Sequence, residues 1–304
     1  MTMATSITSG QIDQATDLAR ARIRKMTGVS SEGFQLFLAR GGEFQDDVEA
    51  SIRRLMRRDQ FADEQVLATY GYPEEYKGPK LIEDQIKALA SICDSKVDPS
   101  CALAFARNLP DLKSFVPEDA LGYTGWFATL WDEALVALFP EETDRARRYC
   151  LGVNLMVEKI ALTRPFTNWR NNQIDTAHLR IHPRTMQAMD QIALTQRGGI
   201  LLLACQLGIR HGGRSVRRAR ELFLGNEYGT GSLMGTSIVY NHPERLMRYK
   251  ELDMDLPGDE FSGDGDVQFV HAPLLSFHDG ARFDTNAVSY ADGDFGSSSF
   301  FVPQ

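Results

Sequence analysis

The sequence predicts an α+β protein: an N-terminal helical region, then a small α/β core that ends in a β-rich, acidic segment. Three observations predict it. Up to about residue 162, apolar residues recur at three- and four-residue steps, the period of a helix with one buried face. At residues 200–205 the texture changes to Ile-Leu-Leu-Leu-Ala-Cys, a short apolar run suited to a strand buried on both sides. Beyond residue 251, short aromatic-bearing runs alternate with glycine and aspartate, as in hairpins. The helical region is expected over residues 1–165 and the α/β region with its β-rich tail over 166–304. They form two parts dividing near Pro165 or one continuous domain.

Element by element, a first helix is expected over residues 9–26, with Ser9 as N-cap and Ile12, Ala15, Leu18, Ala19 and Ile23 along one face. A second opens near Ser31 and stops before Gly41-Gly42, where glycine can turn left-handed. Val48, Ile52, Leu55 and Met56 give a third its stripe, and Arg53, Arg54, Arg57 and Arg58 its solvated face. Residues 70–76 read as a turn-rich connector, and further helices are expected over 81–92 and 141–162. Between those two helices, Tyr123, Trp126, Phe127 and Trp131 read as core packing. After the apolar strand comes a glycine- and arginine-rich loop, then a helix over 215–224 with Val216, Ala219, Leu222 and Phe223 inward. Residues 233–240 read as a second strand, 241–244 as an N-cap region with proline in the first turn, and 252–256 as an edge strand.

A length of 304 residues allows a large core, and 43% hydrophobic with 24% charged residues is ordinary for a folded soluble chain. The net charge of −8 argues against a general polyanion binder. The start lacks the layout of a secretory signal, and residues 200–205 are too short to cross a bilayer. Cys93, Cys101, Cys150 and Cys205 are widely spaced and read as reduced thiols. A cytoplasmic protein without membrane contact is the expectation, and no cofactor is expected.

From about residue 70 to the end, the chain resembles an uncharacterised family of bacterial proteins. The landmarks are Tyr70-Gly71-Tyr72-Pro73, Gly125-Trp126-Phe127, Asn168-Trp169-Arg170, the loop from Gly208 to Arg220, His242-Pro243-Glu244-Arg245-Leu246, Gly258-Asp259-Glu260 and Pro303-Gln304. Where this chain has Gly212 the family carries an arginine, and where it has Phe261 a tyrosine is common. The resemblance implies a bacterial or phage-related source and no mechanism.

Chemistry is concentrated in a charge reversal. Between His178 and Arg220 stand eight arginines (180, 184, 197, 210, 214, 217, 218 and 220) against Asp190 alone; from Glu251 onward stand eleven acids against Arg282 alone. If the strands run parallel, their carboxyl ends form a rim, the usual ligand site of such sheets. That rim would gather Gln206, Arg210, His211 and Arg214, then Asn241 and His242, then Asp259 and Glu260. His211 and His242 would transfer protons, with Asp259 orienting them. Gln206, Arg210, Arg214, Asn241 and Glu260 would hold a phosphate- or carboxylate-bearing small molecule. The alternative is an interaction or assembly protein whose arginines pair with its own acidic end or with a partner. Nucleic acid is disfavoured, since aromatics are sparse between His178 and Arg220. His178 and His182 have helical metal spacing, but Pro183 interrupts it and no metal is expected. Oligomeric state is left open by the sequence.

Overall fold

A computed structural model describes residues 9–25, 30–56, 60–265 and 268–303. It divides between Arg57 and Arg58 into two units. Pro165 lies well inside the second, on the link between a long helix and a short strand.

The first unit holds α1 (Ser9–Ile23), α2 (Ser31–Ala39) and α3 (Gly41–Met56). Ser30 caps α2, its hydroxyl accepting from the Gly33 amide at 3.0 Å. As expected, α2 opens at Ser31 and stops before Gly41-Gly42, but these glycines begin α3 instead of turning left-handed. The side chains of Arg53, Arg54, Leu55 and Met56, and all of Arg57 and Arg58, lie outside the described residues.

The second unit is α+β. In chain order it runs α4 (Ile82–Ile92), α5 (Ser100–Ala106), α6 (Glu118–Leu121), β1 (Thr124–Leu130), α7 (Asp132–Leu138) and α8 (Arg145–Ala161). Then come β2 (Phe166–Asn168), β3 (Leu179–Ile181), α9 (Pro183–Thr195) and β4 (Ile200–Gln206). Next are α10 (Val216–Leu222), β5 (Glu227–Gly229) and α11 (Ser232–Asn241). Last come β6 (Asp253–Asp255), β7 (Asp259–Phe261), β8 (His271–Phe277), β9 (Ala281–Ala287), β10 (Phe295–Ser297) and β11 (Ser299–Phe301). The buried run at β4 is an inner strand of a four-stranded sheet ordered β1-β4-β11-β5. One apolar cluster joins that sheet to α4, α8 and α11 through residues such as Ile86, Val153, Ile238 and Phe127. The tail hairpin is β8–β9, at the centre of a second sheet that also takes in β6, β7, β10, β2 and β3.

Three expectations are corrected. The four-stranded sheet is antiparallel throughout, so no common rim of carboxyl ends exists. Residues 233–240 belong to helix α11, not to a strand. Almost all of α11 is buried, and a helix covered on every side shows the same unbroken apolar run as a buried strand. Its N-terminal amide at Ser232 donates to the Asp259 carboxylate at 2.6 Å. Finally, β6 is not an edge: it lies between β10 and β8, with Asp253 and Asp255 buried.

Candidate functional site

The residues singled out by sequence divide into three places. The first surrounds the end of β4. Gly208, with φ of 121°, turns the chain into a single 3-10 turn at Ile209–His211. Gln206 is fully buried and stitches strands together: its amide donates to the Ser297 carbonyl and the Ser299 hydroxyl, both at 2.9 Å, and its oxygen accepts from the Gly208 amide at 2.8 Å. His211 is also buried, its Nε2 lying 2.7 Å from Glu227 Oε1. Its Nδ1 sits 3.2 Å from Arg214, and because a guanidinium only donates, Nδ1 must accept and Nε2 must carry the proton. Burial holds this imidazole below its ordinary pKa. Glu227 further accepts from the Ser299 hydroxyl at 2.7 Å and pairs with Arg210 at 3.2 Å, while Arg210 also meets Asp119. Burial works to raise the Glu227 carboxyl, but His211, Arg210 and Ser299 outweigh it and hold it below the usual range.

The second place is the end of α11. His242 donates from Nδ1 to the Ile238 carbonyl and accepts at Nε2 from the Lys80 amide, both at 3.0 Å. Burial takes its pKa down to about 4. Lys80 Nζ donates to the Asn241 carbonyl at 2.6 Å and pairs with Glu244 at 3.1 Å. Asn241 lines a cleft of about 400 Å³ with Lys80, Asp84, Gln85, Thr163 and Tyr240. A second cleft of about 420 Å³, lined by Arg164, Glu244, Met247, Phe277 and Asp279, adjoins it at Pro243. The third place is the buried N-terminus of α11, where Asp259 accepts from the Tyr149 hydroxyl at 2.8 Å as well as from Ser232. Glu260 faces away to Arg180, at 2.7 Å. His211, His242 and Asp259 therefore have separate partners and line neither cleft.

Most of the arginines find counterparts inside the chain, largely outside the acidic end. Arg217 grips Glu64 at 2.7 Å and lies 4.4 Å over the Phe61 ring; Arg218 meets Glu221 at 2.7 Å. Arg220 takes the Pro257 and Asp259 carbonyls, and Arg184 the Leu224 carbonyl. Arg180 reaches a carboxylate of the tail, that of Glu260. Residues 60–69 form a strap over the loop. The Val66 amide donates to the Gly213 carbonyl at 2.7 Å, the Ser215 amide to the Glu64 carbonyl at 3.1 Å, and the Ser215 hydroxyl to the Glu64 carboxylate at 2.7 Å. Gly213 has a φ of 72°, and a Cβ there would meet the Val66 carbonyl at 2.3 Å, so the strap requires glycine.

The buried acids of β6 are not used by either cleft, and they set a pH dependence. Burial raises Asp253 to about 7 and Asp255 to about 8. Between these values and the unfolded carboxyl pKa of about 3.9, the folded chain binds more protons, so stability falls as pH rises. Below 6.5, half-buried His182 and buried His242, both neutral in the fold, act in the opposite sense, because the unfolded chain protonates them first. The net loss should therefore emerge from about pH 6.5 to 8 and amount to about 2 kcal/mol. Melting temperature against pH checks it, and Asp255→Asn should remove most of the decline.

Among the described residues, no group of His, Cys, Asp or Glu is arranged to hold a metal, and no helix is long and apolar enough to cross a membrane. No disulfide is formed: Cys93, Cys150 and Cys205 are buried thiols and Cys101 is exposed. In comparisons with known proteins, the chain matches no family model, no curated protein and no solved structure.

Proposed function

We propose that the protein is an interaction or assembly component, and that its arginine loop is a receptor for an extended segment bearing a carboxylate. The observation that carries this reading is the seat of Glu64. Its carboxylate meets Ser215 and Arg217 while its backbone, with that of Val66, pairs with the loop. Backbone pairing with one clamped side chain is how folded domains recognise extended peptides. Here the chain supplies the segment from its own residues 60–69, a turn through Asp63 followed by backbone pairing with the loop at Glu64 to Val66. Catalysis has less support, because His211 and His242 have both ring nitrogens engaged by the protein itself. A free phosphate at the loop would have to displace Glu64.

The test is Glu64→Ala in the full chain, with a synthetic peptide of residues 60–69 as probe. Loss of the clamp should cost about 1–2 kcal/mol in urea unfolding. The variant should bind the peptide in trans by fluorescence anisotropy, and a peptide with alanine at position 64 should bind about ten-fold more weakly. A variant with unchanged stability and no affinity for either peptide rules the reading out.

A further inference from the structure

A buried amide in the wall of a cleft has no partner among the described residues. Asn241, the last residue of α11, is only 6% exposed and lines the cleft of about 400 Å³ beside α4. Its Nδ2 is buried, and neither atom of the terminal amide hydrogen-bonds to a described residue. Buried polar groups are almost always paired, and an orphaned one carries its desolvation cost. The rest of the seat is already engaged. The Asn241 carbonyl accepts from Lys80 Nζ at 2.6 Å. Gln85, the other buried amide of the lining, donates to the Lys80 and Trp126 carbonyls at 2.9 and 3.2 Å and accepts from the Ala128 amide at 3.0 Å. The Asn241 side chain is left as a donor and an acceptor side by side.

Charge narrows what matches it. Among the described residues that line this cleft, Lys80 is the only cation, and it pairs with Glu244 at 3.1 Å while Asp84 adds an exposed carboxylate. An anion would find no free counter-charge there. The complement of an unused amide is a neutral group that also carries an acceptor beside a donor, as a carboxamide does. Half-buried Tyr240 and Ala88 add apolar surface for a carbon skeleton, and the second cleft, with Met247 and Phe277, opens beyond Pro243.

We propose that this cleft binds a neutral small molecule through a carboxamide, held by paired hydrogen bonds to the Asn241 side chain with its apolar part toward Pro243. The terminal torsion of asparagine is soft, so the nitrogen can turn to the cleft as the ligand enters. The cleft shares no residue with the strap, so the inference goes beyond the peptide-receptor reading and is tested apart from it.

The experiment titrates the full chain with benzamide, benzoate and benzamidine, which share one shape but offer acceptor plus donor, acceptors only and donors only. In proton–nitrogen correlation spectra the Asn241 side-chain amide, identified by its loss in Asn241→Asp, should shift saturably with benzamide, and benzoate should bind about ten-fold more weakly. Asn241→Asp presents acceptors only, so it should bind benzamide about ten-fold more weakly, and benzamidine about ten-fold more tightly, than the wild type. If that variant does not fold, Thr163→Trp decides. Position 163 is exposed on the lining, so the indole should block benzamide while the melting temperature stays within about 2 °C. Benzoate binding as tightly as benzamide overturns the proposal, as does an Asn241 amide that stays unshifted up to the solubility limit of benzamide. Benzamide affinity unchanged by Thr163→Trp overturns it too.

Discussion

Replacing Glu227 with alanine should destabilise the second unit by about 3–5 kcal/mol, the range seen when one partner of a buried charge pair is removed. Glu227 is fully buried on β5 and receives four groups at once: the His211 N–H, the Ser299 hydroxyl, the Arg210 guanidinium and the Leu224 amide. Truncation leaves a buried imidazole donor unpaired and deprives Arg210 of its inner counter-charge, so that only Asp119, at the protein surface, remains to it. Each loss adds the desolvation cost of an orphaned polar group. Urea unfolding followed by tryptophan fluorescence would measure the effect. Glu227→Gln should lie between, because its oxygen can still accept while its amide nitrogen faces donors. Adding Arg210→Met to Glu227→Ala should recover part of the loss, since the unpaired cation is removed as well. If Glu227→Ala unfolds at the wild-type midpoint, the loop is not fastened through this carboxylate.

The same cluster shows why sequence reading brought these residues together but missed what they bond to. Gln206, Arg210, His211 and Arg214 do converge, because a buried strand followed by a glycine turn forces its next residues together at one end. Their counter-charges were not legible. Glu227 opens the short strand β5 in a glycine-rich stretch without any spacing that marks it, and Glu64 is 151 residues from Ser215. Pairing over such distances is a property of the tertiary fold, and local periodicity carries no trace of it. The single charge reversal along the chain suggested a tail folded back on the arginines. Arg180 does reach Glu260 and Arg220 the Pro257 and Asp259 carbonyls, but Asp253, Asp255 and Asp259 are buried in the sheet region and Arg217 takes its carboxylate from the strap.

The helices at 82–92 and 145–161 were legible because each has one polar face and one apolar face. Helix α11 was not, since burial on all sides erases the period that distinguishes helix from strand. That one substitution, a helix for a strand, also dissolves the parallel sheet on which the catalytic rim depended. His242 then falls at a helix end instead of a strand end. There its ring closes a turn and holds the Lys80 amide, a structural duty that needs the neutral imidazole.

Arg245→Ala should be comparably damaging, costing about 3–5 kcal/mol and lowering the melting temperature by roughly 10 °C. Arg245 is fully buried, and its guanidinium donates to the Leu252 carbonyl at 2.6 Å and to the Leu207 carbonyl at 2.7 Å. It stacks 4.6 Å above Tyr72, whose hydroxyl in turn accepts from the Leu207 amide at 3.0 Å. One side chain thereby ties the exit of β4 to the entry of β6. Burial lowers its pKa from the ordinary arginine value, so the charge is retained against a desolvation cost that the two carbonyls and the ring offset. Alanine opens a cavity and leaves both carbonyls without donors. Methionine refills the space without restoring the bonds, and lysine restores one donor but cannot span both acceptors. The expected order of melting temperatures is therefore wild type, lysine, methionine, alanine. Methionine above lysine would mean that packing, and not hydrogen bonding, holds these segments together. Since Leu207 directly precedes Gly208, loosening it should also free the arginine loop. Glu64→Ala and Arg245→Ala should accordingly be non-additive in a double-mutant cycle, although position 64 lies on the strap and position 245 in a different part of the unit.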